Sequence, residues 1–190
     1  MPLFLYTTEP GSEKLAKQAA HRLLKMSLAT EFGESEFVLV YPQPTGRPFL
    51  SRRPTLPVLH FSLSHTDGLA VCAVSDSVVG VDAEPLLRAA PKVAQKYFSA
   101  EEQQFTALGG GNFARLWTLK EAYGKFTGEG VMPALRMPFI KHGKPKLEVN
   151  GCRLAFVEGF EKHVVTLAVG EGADLSSLVH KRFEPAELGL

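Results

Sequence analysis

The chain has 190 residues, of which 45% are hydrophobic, and its 21 basic and 20 acidic residues give a net charge of +1. This length and composition are typical of a globular protein, and they argue against a disordered chain or a coiled coil. A net charge this small also excludes a global field that would attract nucleic acid or an acidic membrane, so any anionic partner must be bound by a local cluster.

The N-terminal residues predict a strand followed by an amphipathic helix. Residues 3–7 form a short apolar run, and Ser12 precedes a segment whose apolar residues recur at helical spacing. The other helix positions carry a basic set, which consists of Lys14, Lys17, Arg22 and Lys25. This set is either an ordinary solvated face or a surface that meets a phosphate or an acidic protein.

The next part of the chain predicts a loop and then a small sheet. Residues 37–41 predict a strand, and five prolines between 42 and 57 predict an extended, ordered loop that contains Gly46-Arg47-Pro48. Three β-rich runs follow, separated by turn residues, and they predict an antiparallel meander. These runs are 59–64, 69–75 and 78–82.

Helical signals return in the second half of the chain. We expect helices over 92–98 and, after a capping-box pattern that begins at Ser99, up to residue 107. The triplet Gly109-Gly110-Gly111 is interpreted as a flexible link, because a phosphate-binding loop needs Lys-Ser or Lys-Thr directly after its glycines. Asn112 is the predicted cap of a helix over 113–126.

The order of the elements predicts an α+β fold. Strands at 147–149 and 152–157 flank Asn150-Gly151, which is a strong hairpin signal, and 163–169 supplies another strand. We expect two similar halves that pack around a central cleft and form one compact two-lobed unit. The predicted halves are 1–88 and 89–190.

The cysteines and the N-terminal residues predict the compartment. Cys72 and Cys152 lie in apolar, strand-like runs, so we expect core thiols and not a disulfide or a metal site. The N-terminal residues lack a basic leader, and no run approaches the roughly 20 apolar residues that a membrane helix needs. We therefore expect a cytoplasmic protein that contacts neither a membrane nor nucleic acid.

The segment from Trp117 to Gly130 is the centre of the predicted chemistry. Glu121 and Lys125 are four residues apart and share a helix face, whereas Lys120 is rotated by roughly 100° about the axis. This pair is either a solvated surface ion pair or part of a site in which an acid lies beside a base.

Two further acids favour the second interpretation. Asp82 and Glu84 are two residues apart on a predicted strand, so their carboxylates point to one side. With Glu121 as a third, they offer the oxygen ligands that Mg²⁺ prefers. Cationic groups suited to phosphate oxygens are His65, Lys120 and Lys125. The alternative is that Asp82 ends a strand and Glu84 faces solvent.

Five motifs follow one another along the chain. They are Gly46-Arg47-Pro48, Phe61-Ser62-Leu63-Ser64-His65-Thr66, Gly80-Val81-Asp82-Ala83-Glu84, Phe98-Ser99-Ala100-Glu101-Glu102 and the stretch from Trp117 to Gly128. Together they resemble the Sfp-type branch of the 4′-phosphopantetheinyl transferases, while residues 1–45 and 131–190 match only in general layout. The sequence departs from the family pattern at Arg47, which is usually Lys, at Ser62, usually Asn, and at Ala83, usually Ile or Val.

The resemblance implies a pseudo-dimeric fold and a specific transfer reaction. The 4′-phosphopantetheine group of coenzyme A would move to a serine of an acyl or peptidyl carrier protein, with release of adenosine 3′,5′-bisphosphate. This is the activity of a holo-acyl-carrier-protein synthase, here expected to be a Mg²⁺-dependent monomer that serves fatty acid, polyketide or nonribosomal peptide biosynthesis. The implied Mg²⁺ ligands are Asp82, Glu84 and Glu121, and the implied contacts to coenzyme A phosphates are Arg47, His65 and Lys120. Glu121 is also the candidate base, and Lys125 would neutralise or protonate the leaving phosphate.

Two other functions remain open at this stage. A Mg²⁺-dependent phosphatase or nucleotide-processing enzyme could share a site of carboxylates and lysines. A non-catalytic module that binds coenzyme A or a carrier is favoured if the acids are exposed to solvent. A Ser64-His65-Asp67 hydrolase is excluded, because adjacent residues cannot easily form a nucleophile and base pair and no Gly-x-Ser-x-Gly motif is present.

Overall fold

The computed structural model describes residues 3–33, 36–42, 46–51 and 59–190, and these residues have an α+β fold, as predicted. Two four-stranded sheets are covered by helices on their outer faces. The strands are β1 Phe4–Thr8, β2 Val38–Val40, β3 Phe49–Ser51, β4 His60–Thr66, β5 Leu69–Ser75, β6 Val79–Pro85, β7 Ile140–Lys141, β8 Lys144–Pro145, β9 Glu148–Val149, β10 Cys152–Phe156, β11 His163–Gly170 and β12 Val179–Arg182. The helices are α1 Glu13–Phe32, α2 Pro91–Tyr97, α3 Ala100–Ala107, α4 Asn112–Thr127 and α5 Val131–Leu135.

The first sheet has the strand order β12-β1-β5-β4, and α1 packs on β4 and β5. The Ser12 side chain accepts a hydrogen bond from the amide of Leu15, which confirms the predicted helix cap. The helix buries a stripe of alanines and leucines, and Cys72 lies in the same core. Both cysteines are buried and free, as the sequence predicts.

The second sheet has the strand order β6-β11-β10-β9, and α4 packs on β6 and β11. At Gly80 of β6, a Cβ atom would lie 2.2 Å from the carbonyl oxygen of Ala122 and 2.7 Å from the amide nitrogen of Phe126. Only glycine therefore allows the strand to approach the helix this closely. This contact fixes the distance between α4 and β6, the strand that carries Asp82 and Glu84.

The pairing of β6 differs from the predicted meander. Strands β4 and β5 pair antiparallel as expected, but β6 pairs with β11, with Asp82 opposite Thr166. In addition, β12 pairs parallel with β1, in a region whose sequence pattern is weak. Each sheet thus takes one strand from the other part of the chain. The division at residue 88 and the pseudo-dimeric arrangement stay predictions.

Strands β4 and β6 lie side by side and join the two sheets. The hydroxyl oxygen of Ser62 accepts a hydrogen bond from the amide of Val81 at 3.0 Å, and that of Ser64 accepts one from Ala83 at 3.3 Å. Serine side chains of β4 thus satisfy backbone amides of β6, which would otherwise be buried without a partner. Ser62 therefore retains a hydrogen bond even though the family usually has Asn at this position.

Turns and caps agree with the sequence except at one helix start. Ser99 and Glu102 form the predicted capping box, and Asn150-Gly151 joins β9 and β10 with positive φ at both residues. However, Gly111, with φ of 81°, caps α4, and Asn112 is its first residue and donates a side-chain hydrogen bond to the carbonyl of Phe105. Gly111 adopts the left-handed conformation that starts the helix, so Asn112 does not serve as the predicted cap.

The predicted proline-rich loop is only partly described. Residues 43–45 and 52–58 of that loop lie outside the described residues. Within the described part, β3 pairs with β2, so the expectation of a segment without regular structure is wrong at 49–51. Among the described residues, no helix has both the length and the apolar character to cross a membrane.

Candidate functional site

The acids of β6 face α4. Val81 and Ala83 point into the apolar core that the two sheets share, so the alternating residues Asp82 and Glu84 point to the opposite side, as predicted. Both acids are buried, with exposed fractions of 4% and 8%. The interpretation that Glu84 faces solvent is therefore wrong.

Asp82 is bonded to two side chains from neighbouring elements. Its Oδ1 accepts a hydrogen bond from Nζ of Lys125 at 2.8 Å and one from the hydroxyl of Ser64 at 2.8 Å. Nζ of Lys125 also donates to the carbonyls of Leu63 and Val81, which fixes the ammonium between β4 and β6. Oδ2 of Asp82 is buried and has no partner among the described protein atoms, so one of its oxygens is available to a ligand.

Glu121 lies on α4 beside these acids and has a perturbed pKa. Burial, followed by repulsion from Asp82, raises the pKa of Glu121 to about 7, while Lys125 acts in the opposite direction. Lys125 itself is bonded to Asp82. Neither residue is thus part of an ordinary solvated pair, and Glu121 can accept or release a proton near neutral pH.

Glu84 is paired with an arginine that the sequence analysis missed. Nη1 of Arg88 lies 2.5 Å from Oε1 of Glu84, and the guanidinium carbon lies 5.0 Å from the centre of the Trp117 ring. Burial raises the pKa of Glu84, and the hydrogen bond from Arg88 opposes this rise. The spacing of four residues to a glutamate could have indicated this pair, but Pro85 excluded a continuous helix between the two.

The three carboxylates suit a divalent cation in their chemistry but do not form a closed set of ligands. Repulsion from Asp82 and Glu84 contributes to the raised pKa of Glu121, and the free Oδ2 of Asp82 offers a hard oxygen ligand. Within the part of the chain that the structure describes, however, no group of three or more His, Cys, Asp or Glu side chains is placed to hold a metal ion. The magnesium site therefore stays a prediction.

A cavity of about 540 Å³ lies next to Lys125, between α1, β4 and the end of α4. This volume is in the range of small-molecule sites. Its described lining includes five basic side chains and no acidic one; the basic ones are Lys17, His21, Arg47, His65 and Lys125. Burial lowers the pKa of His65, and the charges of Lys125 and Lys17 lower it further, as expected for a site that is rich in positive charge.

Arg47 and His65 thus line one cavity with Lys125. Nη2 of Arg47 donates to the carbonyl of Phe126, while its Nε is buried without a partner among the described atoms. An unpaired buried guanidinium nitrogen favours an anionic ligand, because leaving such a donor unsatisfied is costly.

The structure divides the basic set of α1. Lys17 lines the cavity, together with His21, which the sequence analysis did not select. Arg22, by contrast, donates to the carbonyl of Leu188 at 2.7 Å, so its charge serves a contact within the protein. Only part of the predicted basic face is therefore placed to meet a ligand in the cavity.

Lys120 does not have the predicted location. Its side chain is fully buried, and Nζ lies 2.7 Å from Oε1 of Glu102 and donates to the carbonyls of Ala134 and Met137. Its ammonium therefore has no exposed surface for a phosphate, and the structure contradicts the assignment of Lys120 to coenzyme A binding. The predicted rotation away from Lys125 is confirmed, but it directs Lys120 into the helical core.

Comparisons with known proteins match the part of the chain that contains this site. A family model described as the 4′-phosphopantetheinyl transferase superfamily matches residues 78–168, which include β6 and α4. A 4′-phosphopantetheinyl transferase of Bacillus pumilus is 33% identical over 101 residues, which are 50% of this chain and 42% of that protein. The L-aminoadipate-semialdehyde dehydrogenase-phosphopantetheinyl transferase of Eremothecium gossypii is 37% identical over 133 residues, which are 62% of this chain and 47% of that protein.

A third relative, the 4′-phosphopantetheinyl transferase HetI of Nostoc, is 35% identical over 94 residues, which are 45% of this chain and 40% of that protein. The matched region thus spans less than half the length of each of these three relatives. The resemblance found in the sequence is confirmed, because residues 78–168 match the model of the 4′-phosphopantetheinyl transferase superfamily.

Proposed function

We propose that the protein transfers the 4′-phosphopantetheine group of coenzyme A to a serine hydroxyl of an acyl or peptidyl carrier protein. The observation that carries this proposal is the position of Lys125. Its ammonium is bonded to Asp82, which with Glu84 and Glu121 forms the acidic group of the site. Its side chain also lines the cavity of five basic residues, here called the basic cavity. A ligand whose phosphates occupy the cavity would therefore lie directly beside the carboxylates. The names of the relatives support the same reaction.

The cavity suits a donor that carries several phosphates. The buried Nε of Arg47 and the imidazole of His65 would contact the pyrophosphate near Lys125, because charge-assisted hydrogen bonds to phosphate are strong. The guanidinium of Arg47 is planar and can bind two phosphate oxygens, which an ammonium in its place would bind as a point charge. Lys17 and His21 would meet a more distant phosphate of the same ligand.

Magnesium is the implied metal, and its proposed ligands are Asp82, Glu84 and Glu121. Bound there, it would supply positive charge to the pyrophosphate oxygens. The free Oδ2 of Asp82 supports this assignment. Lys125 holds the other oxygen of Asp82 and so orients the carboxylate toward its ligand.

The raised pKa of Glu121 supports a role as general base. Its carboxylate would take the proton of the carrier serine, directly or through a water molecule, as the serine oxygen attacks the β-phosphorus. The bond from that phosphorus to the bridging oxygen then breaks, and adenosine 3′,5′-bisphosphate leaves. Lys125 would donate hydrogen bonds to the leaving phosphate, whose negative charge increases during the transfer.

The buried acids distinguish this proposal from one alternative. A non-catalytic binding module is favoured by exposed acids, but Asp82 and Glu84 are buried, and Asp82 is bonded to Lys125, which lines the basic cavity. A phosphatase would use the same residues, so only an experiment can distinguish it from the proposed transferase. A monomeric state and a cytoplasmic location stay predictions.

The test is incubation with coenzyme A, Mg²⁺ and apo-carrier proteins, followed by the intact mass of the carrier. We expect an increase by one phosphopantetheine group, and none when the carrier serine is replaced by alanine. Asp82→Asn serves as the matched enzyme control, because it keeps the side-chain shape and removes the charge. Release of inorganic phosphate without a change in carrier mass would instead establish a phosphatase and overturn the proposal.

A further inference from the structure

Arg88 is bonded to Glu84 of the acidic group and stacks on the ring of Trp117. A tight turn after β6, in which the amide of Arg88 donates to the carbonyl of Pro85, directs its side chain back toward the strand. The guanidinium then lies between the carboxylate of Glu84 and the ring of Trp117. It is also close enough to Glu121 to lower the pKa of that carboxyl. One guanidinium thus acts on two of the three carboxylates.

Two of the carboxylates are therefore already bonded to cations of the protein itself. Lys125 is bonded to Asp82, and Arg88 is bonded to Glu84. The two cations are held differently. Lys125 donates to two main-chain carbonyls in addition to Asp82, whereas Arg88 has contacts with Glu84 and the Trp117 ring, and 38% of its side chain is exposed. Arg88 is the cation that can leave its carboxylate at the lower cost.

We propose that Arg88 is a counter-ion that competes with a divalent cation for Glu84. The inference rests on the proposed metal site. Arginine keeps its charge at any accessible pH, so its charge must move away for Glu84 to accept a second cation. The Trp117 ring can hold the guanidinium after it leaves Glu84, since a guanidinium can remain stacked on an aromatic ring without a carboxylate partner.

This competition explains why the acids do not form a closed set of ligands among the described residues. While Arg88 is bonded to Glu84, that carboxylate is directed toward the guanidinium. A divalent cation at Glu84 would be repelled by the nearby positive charge, which lowers its affinity. Arg88 acts through Glu84, so it is a positioning residue that sets how readily the acidic group accepts a metal.

The experiment measures Mn²⁺ binding, in the absence of coenzyme A, from the electron paramagnetic resonance signal of free Mn²⁺. Arg88→Met removes the charge and keeps an unbranched side chain against Trp117. We expect it to bind Mn²⁺ about five- to tenfold more tightly than the wild type, because one repelling charge is removed. Arg88→Lys, which keeps the charge, should stay within about twofold of the wild type.

Arg115→Met is the matched control. It removes the same charge from α4, but Arg115 donates to the carbonyl of Gly110 and has no bond to the acids. We expect its Mn²⁺ affinity to stay within about twofold of the wild type. If Arg88→Met binds Mn²⁺ no more tightly than the wild type, the competition is refuted and the metal site stands. If neither protein binds Mn²⁺, the proposed metal site itself is refuted, and the inference with it.

Discussion

Replacing Lys120 by methionine tests the most consequential correction that the structure makes. The ammonium of Lys120 lies 2.7 Å from Oε1 of Glu102, and the side chains of this pair have exposed fractions of 0% and 1%. Glu102 also accepts hydrogen bonds from the amides of Ser99 and Phe139. The pair therefore joins the cap of α3, the middle of α4 and the segment that enters β7.

The expected cost follows from this burial. Methionine has nearly the length of lysine, so Lys120→Met removes the charge with little change in packing. It leaves the carboxylate of Glu102 buried with only two amide donors, and it removes the donor that serves the carbonyls of Ala134 and Met137. Breaking a buried pair by removing one partner costs about 3–5 kcal/mol. For a chain of this size, that corresponds to a melting temperature lower by about 6–20 °C.

The assay is urea denaturation of the wild type, of Lys120→Met and of the double variant Lys120→Met with Glu102→Gln. We expect the double variant to regain part of the lost stability, because the unpaired buried charge is then absent. Coenzyme A affinity of the folded Lys120→Met protein, measured by calorimetry well below its melting temperature, should be unchanged. A variant as stable as the wild type that binds coenzyme A weakly would refute the structural role and restore the phosphate contact.

The remaining predictions concern the site and its support. Since the pKa of Glu121 in the free protein is raised from 4.5 to about 7, kcat/KM should rise with pH through about 7, and Glu121→Gln should abolish this rise in steady-state assays. The same shift means that the folded protein favours protonated Glu121. Its contribution to the free energy of unfolding is therefore present below pH 4.5 and is lost as the pH rises to about 7. In urea titrations at several pH values, Glu121→Gln should remove this part of the pH dependence. Lys125→Ala should lower kcat by one to several orders of magnitude with little change in coenzyme A Kd. Arg47→Ala should raise the coenzyme A Kd by roughly tenfold or more, measured by calorimetry, and Arg47→Lys by less. Gly80→Ala should destabilise the protein by about 3 kcal/mol in urea, because its Cβ would overlap the backbone of α4.

Each of these expectations has an outcome that contradicts it. A kcat/KM that does not change between pH 5 and 9 in the wild type would remove Glu121 from the role of base. Near-normal turnover of Lys125→Ala would separate the basic cavity from the reaction. An unchanged coenzyme A Kd in Arg47→Ala would place the donor elsewhere, and a fully stable Gly80→Ala would show that α4 can shift away from β6.

Features that depend on neighbouring residues could be predicted from the sequence. The cap at Ser12, the capping box that begins at Ser99 and the hairpin at Asn150-Gly151 each follow from a hydrogen bond or a backbone angle within four residues. The common side of Asp82 and Glu84 follows from the strand period alone. These predictions are confirmed because no distant part of the chain competes with the local preference.

Features that depend on distant residues could not be predicted from the sequence. The strand of Asp82 pairs with β11, some eighty residues further along the chain, and no pattern within either strand specifies its partner. Lys120 looks like a surface cation until Glu102 and the carbonyls of Ala134 and Met137 are placed around it. Helical spacing indicates which way a side chain is rotated, but not whether solvent or a buried carboxylate lies there.

The parallel pairing of β12 with β1 has a consequence for folding during synthesis. In the finished sheet β1 lies between β12 and β5, but until residues 179–182 have left the ribosome it is an open edge. The sheet that supports α1, and with it one wall of the basic cavity, is therefore completed only when β12, which follows the other described strands in the sequence, has been synthesised. Translation that stops before residue 179 would leave an exposed strand that can pair with other chains, so the nascent chain exposes an edge that favours aggregation for longer than its local helices and hairpins suggest.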